Sequence, residues 1–412
     1  MNNLRVNIDR LMERIHELGT IGALEGGGVC RLALSTEDKA GRDLVVKWMQ
    51  ALGLEITIDR IGNIVGVRAG KEDGPPVMTG SHVDTVATGG LYDGSLGVLA
   101  GLEIIETLND AGITTRYPVA VAAFTNEEGA RFAPDMMGSG VHQGALSLED
   151  TLATKGIDGT TVGEELERIG YAGETPVGHL TPRAFFELHV EQGPVLEEAG
   201  LDIGAVTGVQ GISWTEYTIS GVSNHAGTTP MRLRHDAGFV AATVATKARQ
   251  IASDLGENQV ATCGVMELDP SLVNVIARTA KVTVDLRNTD EETLQEAERR
   301  MAGHLATIAE KEGVEIETRT LARFEPVEFD EKIVTGIAEM AEALGHTVVR
   351  MPSGAGHDAQ MFAPNCPTGM VFVPSKDGIS HNIDEHTSPE EIRAGADVLL
   401  QVMLETSGAE LS

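Results

Sequence analysis

The sequence predicts an α/β protein in which a larger domain has a central mixed, mostly parallel sheet flanked by helices, and a ferredoxin-like α+β domain is inserted into it. Short apolar runs alternate with helical patterns, the runs are unbroken, and the rhythm of elements changes between about residues 213 and 320. Unbroken apolar runs are typical of strands that helices cover on both faces. The chain has 412 residues. It therefore exceeds the roughly 250 to 300 residues at which a single hydrophobic core stops growing.

The opening third alternates helices and strands. Residues 36–53 have a helical pattern with Ser35 as N-cap and Gly53 as C-terminal stop, and a strand follows at 54–59. A second helix is predicted at 96–112, and further strands at 75–83, 118–128, 183–193 and 368–375. Each of these four strands ends in a polar cluster that contains His or Glu. Because ligands of open α/β sheets bind beyond the carboxyl ends of strands, we expect the four clusters to converge on one site.

The inserted segment has the element order βαββαβ, which is typical of a ferredoxin-like sandwich. Its helices are predicted at 236–256 and 290–313, and its strands at 214–220, 259–268, 280–287 and 314–321. We therefore assign residues 1–211 and 328–412 to the larger domain and residues 212–327 to the inserted one. Polar junctions near 208–211 and 324–329 are the expected hinges.

The composition disfavours several classes of partner and site. The formal net charge of −31 repels phosphate backbones and anionic membranes, so neither nucleic acid nor a membrane is an expected partner. The three cysteines, Cys30, Cys263 and Cys366, have no CxxC spacing, which argues against a disulfide framework and a zinc–thiolate site. With no signal-peptide pattern at the start and no membrane-length apolar run, we expect a cytoplasmic protein.

The first polar cluster, GSHVDTVATGGLYDGSLGV at 80–98, contains His82, Asp84 and Asp93. Its glycines let the backbone bring an imidazole and a carboxylate close together. Such ligands suit zinc, manganese, cobalt or nickel. Each residue alone is more typical of an ordinary polar loop, and only the cluster indicates a metal site. The carboxylate of Asp84 is expected to hold the imidazole of His82 in place.

The second cluster, FTNEEGARF at 124–132, places the adjacent carboxylates Glu127 and Glu128 at the end of a buried strand. The two would repel each other unless a positive charge such as a metal ion neutralises them. One glutamate could bind the metal while the other accepts a proton from water. The residues themselves leave open which glutamate does which, and a solvated acidic turn is the alternative for an isolated pair.

Two further histidines complete a ligand set for two ions. ELHVEQGP contains His189, and DGISHNIDEH contains His381, each after an apolar run. If one carboxylate bridges, five ligands are enough for a pair of ions roughly 3.5 to 4 Å apart. The candidate ligands are His82, Asp93, Glu128, His189 and His381.

Together these motifs are similar to those of the hydantoinase/carbamoylase amidohydrolases within the M20 metallopeptidase clan. The shared motifs are GSHVDTVATGGLYDGSLGV, TNEEGARF, LHVEQGPVLE, HAGTTPM, SGAGHDA and GISHNIDE, and they cover nearly the whole chain. The resemblance implies that Asp93 bridges two ions, one held with His82 and His381 and the other with Glu128 and His189. It also implies that Glu127 is the general base and that the inserted domain is a lid and dimerisation domain.

The resemblance further implies a set of substrate-binding residues. Gln192 falls where the family contacts substrate or metal-bound groups, and Gly356 where its backbone contacts substrate. His225 is expected to reach the active site of a partner subunit and polarise the scissile carbonyl, which would require a homodimer. A guanidinium grips a carboxylate through two parallel hydrogen bonds, so Arg287, with Asn274, is expected to hold a substrate carboxylate. A surface ion pair is the alternative for Arg287.

Three other positions in these motifs are of interest for specificity or packing. His142 lies in GSGVHQG where similar sequences have an aromatic residue, which points either to altered substrate choice or to a tolerated loop change. Ala277 stands where relatives commonly have proline, in the loop that presents Asn274. His357, in SGAGHDA, is expected to be structural.

These features predict a hydrolase that uses two divalent ions to activate water against an amide-type bond of a small carboxylate-bearing molecule. N-carbamoyl-L-amino acids are the preferred substrates, and allantoate and N-carbamoyl-β-alanine suit the same residues. An aminoacylase or peptidase of the same clan is a further alternative, from which LHVEQGP and HAGTTPM point away. A metal-holding module without activity is disfavoured, because Glu127 and all five candidate ligands are present.

Overall fold

The computed structural model describes residues 4–256 and 258–409. The chain divides into two compact units. One contains the residues up to Gly208 together with those from Glu328 onward, and the other spans Val209–Val327. The inserted domain was predicted to begin at residue 212.

In chain order, the helices and strands are α1 (Ile8–Gly19), α2 (Thr36–Ala51), β1 (Glu55–Ile58), β2 (Ile64–Arg68), β3 (Val77–His82), α3 (Ser95–Asp110), β4 (Val119–Phe124), α4 (Met137–Gln143), α5 (Leu148–Leu152), α6 (Val162–Ile169), β5 (Ala184–Val190), α7 (Val195–Ala199), β6 (Ile203–Val209), β7 (Gly211–Ser220), α8 (Ala237–Leu255), β8 (Val260–Thr262), β9 (Met266–Asp269), β10 (Thr279–Asn288), α9 (Glu291–Glu312), β11 (Glu315–Phe324), β12 (Val327–Glu328), α10 (Glu331–Leu344), β13 (Val348–Ser353), α11 (Asp358–Phe362), β14 (Thr368–Val373) and α12 (Pro389–Thr406).

The first unit is built on a nine-stranded mixed sheet within the described residues. Its order is β1-β2-β4-β3-β5-β14-β6-β12, and β13 pairs with β6. The four central strands β4, β3, β5 and β14 run parallel, whereas β1, β2 and β6 pair antiparallel with their neighbours. The predicted fold class is confirmed, with the parallel pairing concentrated in the centre of the sheet.

The central strands are buried along their whole lengths, as their unbroken apolar runs predict. Helix α3 packs against β3, β4 and β5, and α12 packs against β5 and β14. Both helices are apolar around most of their circumference, which is typical of a helix enclosed by the rest of a domain. Helix α2 begins as predicted, because the Ser35 side chain accepts a hydrogen bond from the Asp38 N–H.

The second unit is an antiparallel sheet covered by two helices. Its strand order is β11-β7-β10-β8, and β9 also pairs with β10. Helices α8 and α9 contact each other and pack against β7 and β10. Their shared core includes Val244 and Ile251 of α8, Met301 of α9 and Val282 of β10. The order of elements is the βαββαβ order read from the sequence, with one difference in the strands.

That difference lies at 259–268, which was predicted as a single strand and forms β8 and β9 instead. Thr262 pairs with Asp285 and Met266 pairs with Val282, so this side has one residue more than β10 between the two pairs. The extra residue makes a bulge that interrupts the ladder. Thr283 stabilises the bulge, because its side-chain Oγ1 accepts a hydrogen bond from the Val265 N–H at 3.0 Å.

No helix in the described part of the chain is long and apolar enough to cross a membrane. Cys30, Cys263 and Cys366 are all free thiols, and Cys366 is buried.

Candidate active site

The sheet of the first unit brings the polar clusters together at one edge. His82 is the last residue of β3, His189 is the second-last residue of β5, and Glu127 and Glu128 follow β4. His381 lies in the segment after β14. These four strands are parallel neighbours, so their carboxyl ends lie at the same edge. The four polar clusters therefore lie together at one edge of the sheet, as expected.

Asp93 lies at the centre of this group and faces histidines on both sides. Its Oδ1 is 3.2 Å from His189 Nε2 and 3.6 Å from His82 Nε2. Its Oδ2 is 3.5 Å from His381 Nε2, which in turn is 3.3 Å from Glu128 Oε2. Two groups of candidate ligands share Asp93, and in each the ligand atoms lie within 4.8 Å of one another: His82, Asp93 and His189 in one, and Asp93, Glu128 and His381 in the other.

This grouping differs from the one that the resemblance implied, in which His82 was paired with His381 and His189 with Glu128. The reason is the order of strands in the sheet. Strand β5 lies next to β3, so the imidazoles of His189 and His82 are neighbours, with ring centroids 6.1 Å apart. His381 instead faces Glu128 across the other oxygen of Asp93.

Backbone carbonyls fix the orientation of both buried imidazoles. His82 Nδ1 is 2.9 Å from the carbonyl oxygen of Asp84, and His189 Nδ1 is 2.9 Å from that of Val190. A carbonyl can only accept, so Nδ1 of each ring carries the proton. Each Nε2 therefore faces the carboxyl groups of the site, and in the neutral ring it carries the lone pair that a metal ion requires.

Asp84 acts differently from the prediction. The backbone carbonyl of Asp84, not its carboxylate, orients His82. The carboxylate of Asp84 instead faces the segment that follows β4. There it accepts hydrogen bonds from the N–H groups of Glu127 and Glu128, both at 3.3 Å. Asp84 therefore positions the two glutamates.

The two glutamates lie in a crowded acidic environment. Burial raises the pKa of Glu127 well above its usual value, and Asp358 and Glu128 raise it further. Burial likewise raises the pKa of Glu128, with Asp93 as the next contribution. Glu127 Oε2 is 3.2 Å from His82 Nε2, whereas Glu128 belongs to one of the ligand groups. The geometry thus favours Glu128 as the ligand of the pair.

The histidines and Asp93 also have strongly shifted pKa values. Burial lowers the pKa of His82 to about 4. Burial also opposes protonation of His189, but its hydrogen bond to Asp93 outweighs this and raises the pKa of His189 to about 9. Burial alone would raise the pKa of Asp93, and the contact with His189 outweighs it and holds that pKa below its usual range.

These residues fit a divalent metal centre. Two buried imidazoles and three buried carboxyl groups point at one small volume, where burial and the neighbouring carboxylates raise the pKa of Glu127 and of Glu128. A divalent cation would supply a compensating positive charge. Nitrogen and oxygen donors of this kind suit zinc, manganese, cobalt or nickel. His381 is 52% exposed, so one side of the site is open to solvent.

Gln192 lies at the same site. Its Nε2 donates to Asp93 Oδ2 at 2.8 Å and to Ser380 Oγ at 3.2 Å. Its Oε1 is buried and has no hydrogen-bond partner among the described residues. The amide oxygen of Gln192 is therefore available to accept a hydrogen bond or to bind a cation at this position.

The SGAGHDA segment borders the site on the side of His189. The ring of His357 is buried with its centroid 4.5 Å from that of His189, and its Nε2 is 2.8 Å from Ser353 Oγ. Gly356, which precedes it, is partly buried, and a Cβ there would contact Met136. His357 therefore packs behind a candidate ligand, in keeping with the structural role expected of it.

Two buried glutamates of the site were missed at the level of sequence. Glu187, in the middle of β5, accepts hydrogen bonds from Ser81 Oγ at 2.6 Å and from the Ala359 N–H at 2.8 Å. Glu385 Oε1 accepts from the N–H groups of Tyr92 and Asp93 at 3.2 and 3.1 Å. Glu187 could have been predicted, because it is the one acidic residue in the apolar run AFFELHV. Glu385 could not, because nothing in GISHNIDE sets it apart from the neighbouring polar residues.

His142 belongs to neither ligand group. It is buried in α4, its Nε2 is 3.0 Å from the Leu180 carbonyl oxygen, and its ring packs near Phe124 and Phe362. This environment gives His142 a packing function beneath the end of β4.

In the second unit, two candidate substrate-binding residues lie on paired loops. The Ala226 N–H donates to the Asn274 carbonyl at 3.0 Å, so the segment of His225 runs beside that of Asn274. His225 Nδ1 accepts from the Gly227 N–H at 2.9 Å. The neutral ring then carries its proton on Nε2 and can donate it to an oxygen atom. Ala277 is buried just beyond this loop.

Arg287 lies at the other end of β10. Its Nε and Nη2 pair with the carboxylate of Asp285 at 3.0 to 3.2 Å, and the guanidinium carbon is 5.7 Å from the ring centroid of Trp214. Asn274 precedes β10, and the eight steps from Thr279 to Arg287 span about 26 Å at roughly 3.3 Å per residue. Within the second unit, Asn274 thus lies before the start of β10 and Arg287 close to its end.

Comparison with known proteins gives one consistent result. A sequence model of peptidase family M20/M25/M40 matches residues 78–405. An N-carbamoyl-L-amino-acid amidohydrolase of Rhizobium meliloti is 41% identical over 98% of this chain and 98% of its own length. An allantoate amidohydrolase of Escherichia coli is 35% identical over 94% of this chain and 95% of its own length. A crystal structure of a hydantoinase/carbamoylase family amidase from Burkholderia multivorans has a TM-score of 0.94 at 46% identity, with 100% of both chains covered. The chain therefore belongs to peptidase family M20/M25/M40, as its motifs predicted, and it is a hydrolase of C–N bonds.

Proposed function

We propose that this protein is a binuclear metal-dependent amidohydrolase that cleaves the ureido C–N bond of N-carbamoyl-L-amino acids. With one water molecule, each substrate yields the free amino acid, ammonia and carbon dioxide. The observation that carries the proposal is the position of Asp93, whose two carboxylate oxygens face two separate groups of candidate ligands. A bridging carboxylate of this kind is the usual feature of two-metal hydrolytic sites.

One ion would be held by His82, Asp93 and His189, and the other by Asp93, Glu128 and His381. Ions bound there would polarise the substrate carbonyl and lower the pKa of a water molecule towards about 7. His82, Asp93 and His189 are buried, and this supports the proposed effect of the ions, because electrostatic interactions are stronger where bulk water is excluded.

Glu127 would act as general base and then as general acid. Its carboxylate lies beside His82 without belonging to either ligand group, so it can exchange a proton. It would accept the proton of the attacking water and return it to the departing nitrogen. A carboxyl group whose pKa is raised by burial suits this task, because it must hold the proton between the two steps. Asp84 supports the arrangement through the N–H groups of Glu127 and Glu128.

Substrate would be bound by Gln192, Gly356, His225, Asn274 and Arg287. The carboxylate is assigned to Arg287, since a guanidinium can exchange Asp285 for a ligand carboxylate in the same fork geometry. The scissile carbonyl is assigned to the Nε2–H of His225. Gln192 contributes its amide at the metal site.

We propose that the active form is a homodimer in which His225 and Asn274 act on the substrate of the partner subunit. The course of β10 supports this, because Arg287 is near the end of the strand, whereas the paired loops of His225 and Asn274 come before its start. An apolar surface beside the His225 and Asn274 loops offers a contact for a second copy. It includes Met231, Leu233, Phe239, Leu272 and Val273, all of them exposed.

Allantoate is the second candidate substrate. It also combines a ureido group with a nearby carboxylate, and the Escherichia coli relative bears its name. The Rhizobium meliloti relative is more similar to this chain, which favours the N-carbamoyl-L-amino acids. N-carbamoyl-β-alanine is a further ureido acid to include, and N-acetyl amino acids represent the aminoacylase alternative.

The deciding experiment incubates protein reconstituted with zinc, manganese, cobalt or nickel with each of these substrates. Ammonia and free amine are measured together. Release of ammonia with free amino acid from N-carbamoyl-L-amino acids is expected, with the other compounds slower. Release of acetate but no ammonia would identify an aminoacylase, and no turnover of any ureido compound would refute the proposal.

A further inference from the structure

Arg31 is a fully buried cation just outside the two ligand groups. It is 1% exposed, which is rare for arginine. All three nitrogens of its guanidinium are hydrogen-bond donors to neutral oxygens. Nε donates to the carbonyl of Val83 at 3.0 Å, Nη1 to those of Leu18 and Ile21 at 3.2 and 3.1 Å, and Nη2 to Ser95 Oγ at 3.1 Å.

None of these contacts is an ion pair: in the described part of the chain Arg31 has no direct ion pair with a carboxylate, and Asp38 and Asp84 attract its charge only from a greater distance. A buried charge without an ionic partner destabilises a fold. Burial accordingly lowers the pKa of Arg31 to about 10. An apolar side chain would fill the same space without this cost, so the set of hydrogen bonds is what distinguishes arginine at this position.

Two of the acceptors lie close in sequence to two candidate metal ligands. Val83 directly follows His82, and Ser95 comes two residues after Asp93. The guanidinium of Arg31 therefore connects the two ends of the segment 83–95 through one rigid, planar group.

The backbone of Arg31 holds the same segment. Its N–H donates to Thr85 Oγ1 at 2.8 Å, and its carbonyl accepts from the Thr85 N–H at 2.9 Å. The other two acceptors, the carbonyls of Leu18 and Ile21, lie at the end of α1 and just beyond it. The side chain of Arg31 thereby connects the segment 83–95 to the C-terminal end of α1 by hydrogen bonds.

We propose that Arg31 is a positioning residue of the metal site, which fixes the spacing of His82 and Asp93 by binding Val83, next to His82, and Ser95, two residues beyond Asp93. The inference rests on the proposed function for the identity of the site. It assigns Arg31 no contact with substrate or with the reacting atoms.

The test compares Arg31→Lys and Arg31→Gln with the wild-type protein and with Arg14→Lys. Arg14 is a suitable control because it is also buried, but its partners Glu103 and Glu106 lie in the C-terminal half of α3. Metal content is measured after dialysis, metal affinity by competition with a chelator, and folding by circular dichroism and Tm. Lysine retains the charge, but its three donors sit on one nitrogen and cannot make the four hydrogen bonds that the spread nitrogens of the guanidinium make. Both Arg31 variants are therefore expected to bind metal at least tenfold more weakly. Arg14→Lys is expected to lower Tm without changing metal affinity.

The outcomes separate the two proposals. If the wild-type protein itself binds no metal, the proposed function fails, and with it this inference. If the wild type binds metal and both Arg31 variants bind it equally well, only the role of Arg31 is overturned. Full retention by Arg31→Lys with loss in Arg31→Gln would also overturn it, because charge rather than hydrogen-bond geometry would then be responsible.

A milder variant covers the case in which the Arg31 variants do not fold. Ser95→Ala removes one acceptor of the guanidinium and leaves the charge in place. Ser407→Ala is its control, because Ser407, just after α12, is equally buried and its hydroxyl donates to the Leu404 carbonyl in that helix. Weaker metal binding in Ser95→Ala alone supports the inference, and equal binding in the two variants refutes it.

Discussion

Gly94 lies directly against the imidazole of His82. A Cβ built on residue 94 would stand 2.3 Å from the Cε1 and Nε2 atoms of that ring. Gly94 also has φ +61°, follows the shared carboxylate of Asp93 and immediately precedes α3. Only glycine combines this left-handed backbone with so close an approach to the ring.

Replacing Gly94 with alanine should therefore displace His82 from the metal site. We expect Gly94→Ala to lose most of its bound metal and its activity, because the added methyl group and the imidazole would occupy the same space. Metal content after dialysis and turnover of the ureido substrate are the measurements. Gly112→Ala is the matched control, since Gly112 has φ +63° but no atom within 4 Å of the built Cβ. Equal metal content in the two variants would contradict the close packing at Gly94.

Substitutions of the two adjacent glutamates should differ in their effects on metal binding and on the reaction rate. We expect Glu127→Gln to keep its metal and to lose activity by a factor of about 10² to 10⁴, the range for removal of a general acid or base. Glu128→Gln should lose metal, because Glu128 lies in the ligand group with Asp93 and His381. Metal analysis and single-turnover rates check both results. Loss of metal from Glu127→Gln together with retention in Glu128→Gln would reverse the two roles.

Removal of metal should lower stability as well as activity. Without cations, the buried carboxyl groups of Glu127 and Glu128 are left close together and close to Asp93. A ligand that binds only the folded state stabilises it by about 4 kcal/mol when present at roughly 1,000 times its Kd. Dialysis against a chelator should therefore lower Tm and abolish turnover, and added zinc, manganese, cobalt or nickel should restore both. In the control Asp93→Asn, the chelator should change Tm much less. An unchanged Tm in the wild-type protein would count against a metal centre at this position.

Mixing two inactive variants should restore activity if His225 acts across a dimer. His225→Ala homodimers lack the proposed hydrogen-bond donor to the substrate carbonyl, and Glu127→Gln homodimers lack the proposed general base. A mixed dimer would contain one intact site, so random exchange of subunits should recover about a quarter of the wild-type activity. Turnover is measured before and after the two proteins are unfolded and refolded together. No recovery, with heterodimers demonstrated by native mass spectrometry, would place His225 in the site of its own chain.

Arg287 should act mainly on substrate affinity. We expect Arg287→Ala to raise KM about 10- to 100-fold with a smaller change in kcat, because hydrogen bonds to a charged group contribute roughly 1.5 to 3 kcal/mol. Arg319→Ala is a control on the same sheet, where Arg319 pairs with Glu216 at an exposed position. Steady-state kinetics with and without the substrate carboxylate, the latter as a carbamoyl amine, provide the measurement. The same loss for both substrates would show that Arg287 does not recognise the carboxylate.

Much of the fold could be predicted because local patterns and burial agree in this chain. The unbroken apolar runs of β3, β4, β5 and β14 reflect strands buried on both faces, and the cap of α2 at Ser35 is encoded within a few residues. The bulge that divides 259–268 into β8 and β9 was not predictable in this way. It arises from the count of residues on the partner strand β10, which is distant in sequence.

The sequence by itself determined which residue types stand at the carboxyl ends of the central strands, and therefore that a cluster of imidazoles and carboxylates would form. Only the tertiary structure decided how they group. His189 faces the same oxygen of Asp93 as His82 because β5 lies beside β3. The hydrogen bonds that bring Glu187, Glu385 and Arg31 to the site likewise join residues far apart in the chain. The physical reason is that a side chain's chemistry is local, whereas its neighbours depend on strand order and loop paths across the whole chain.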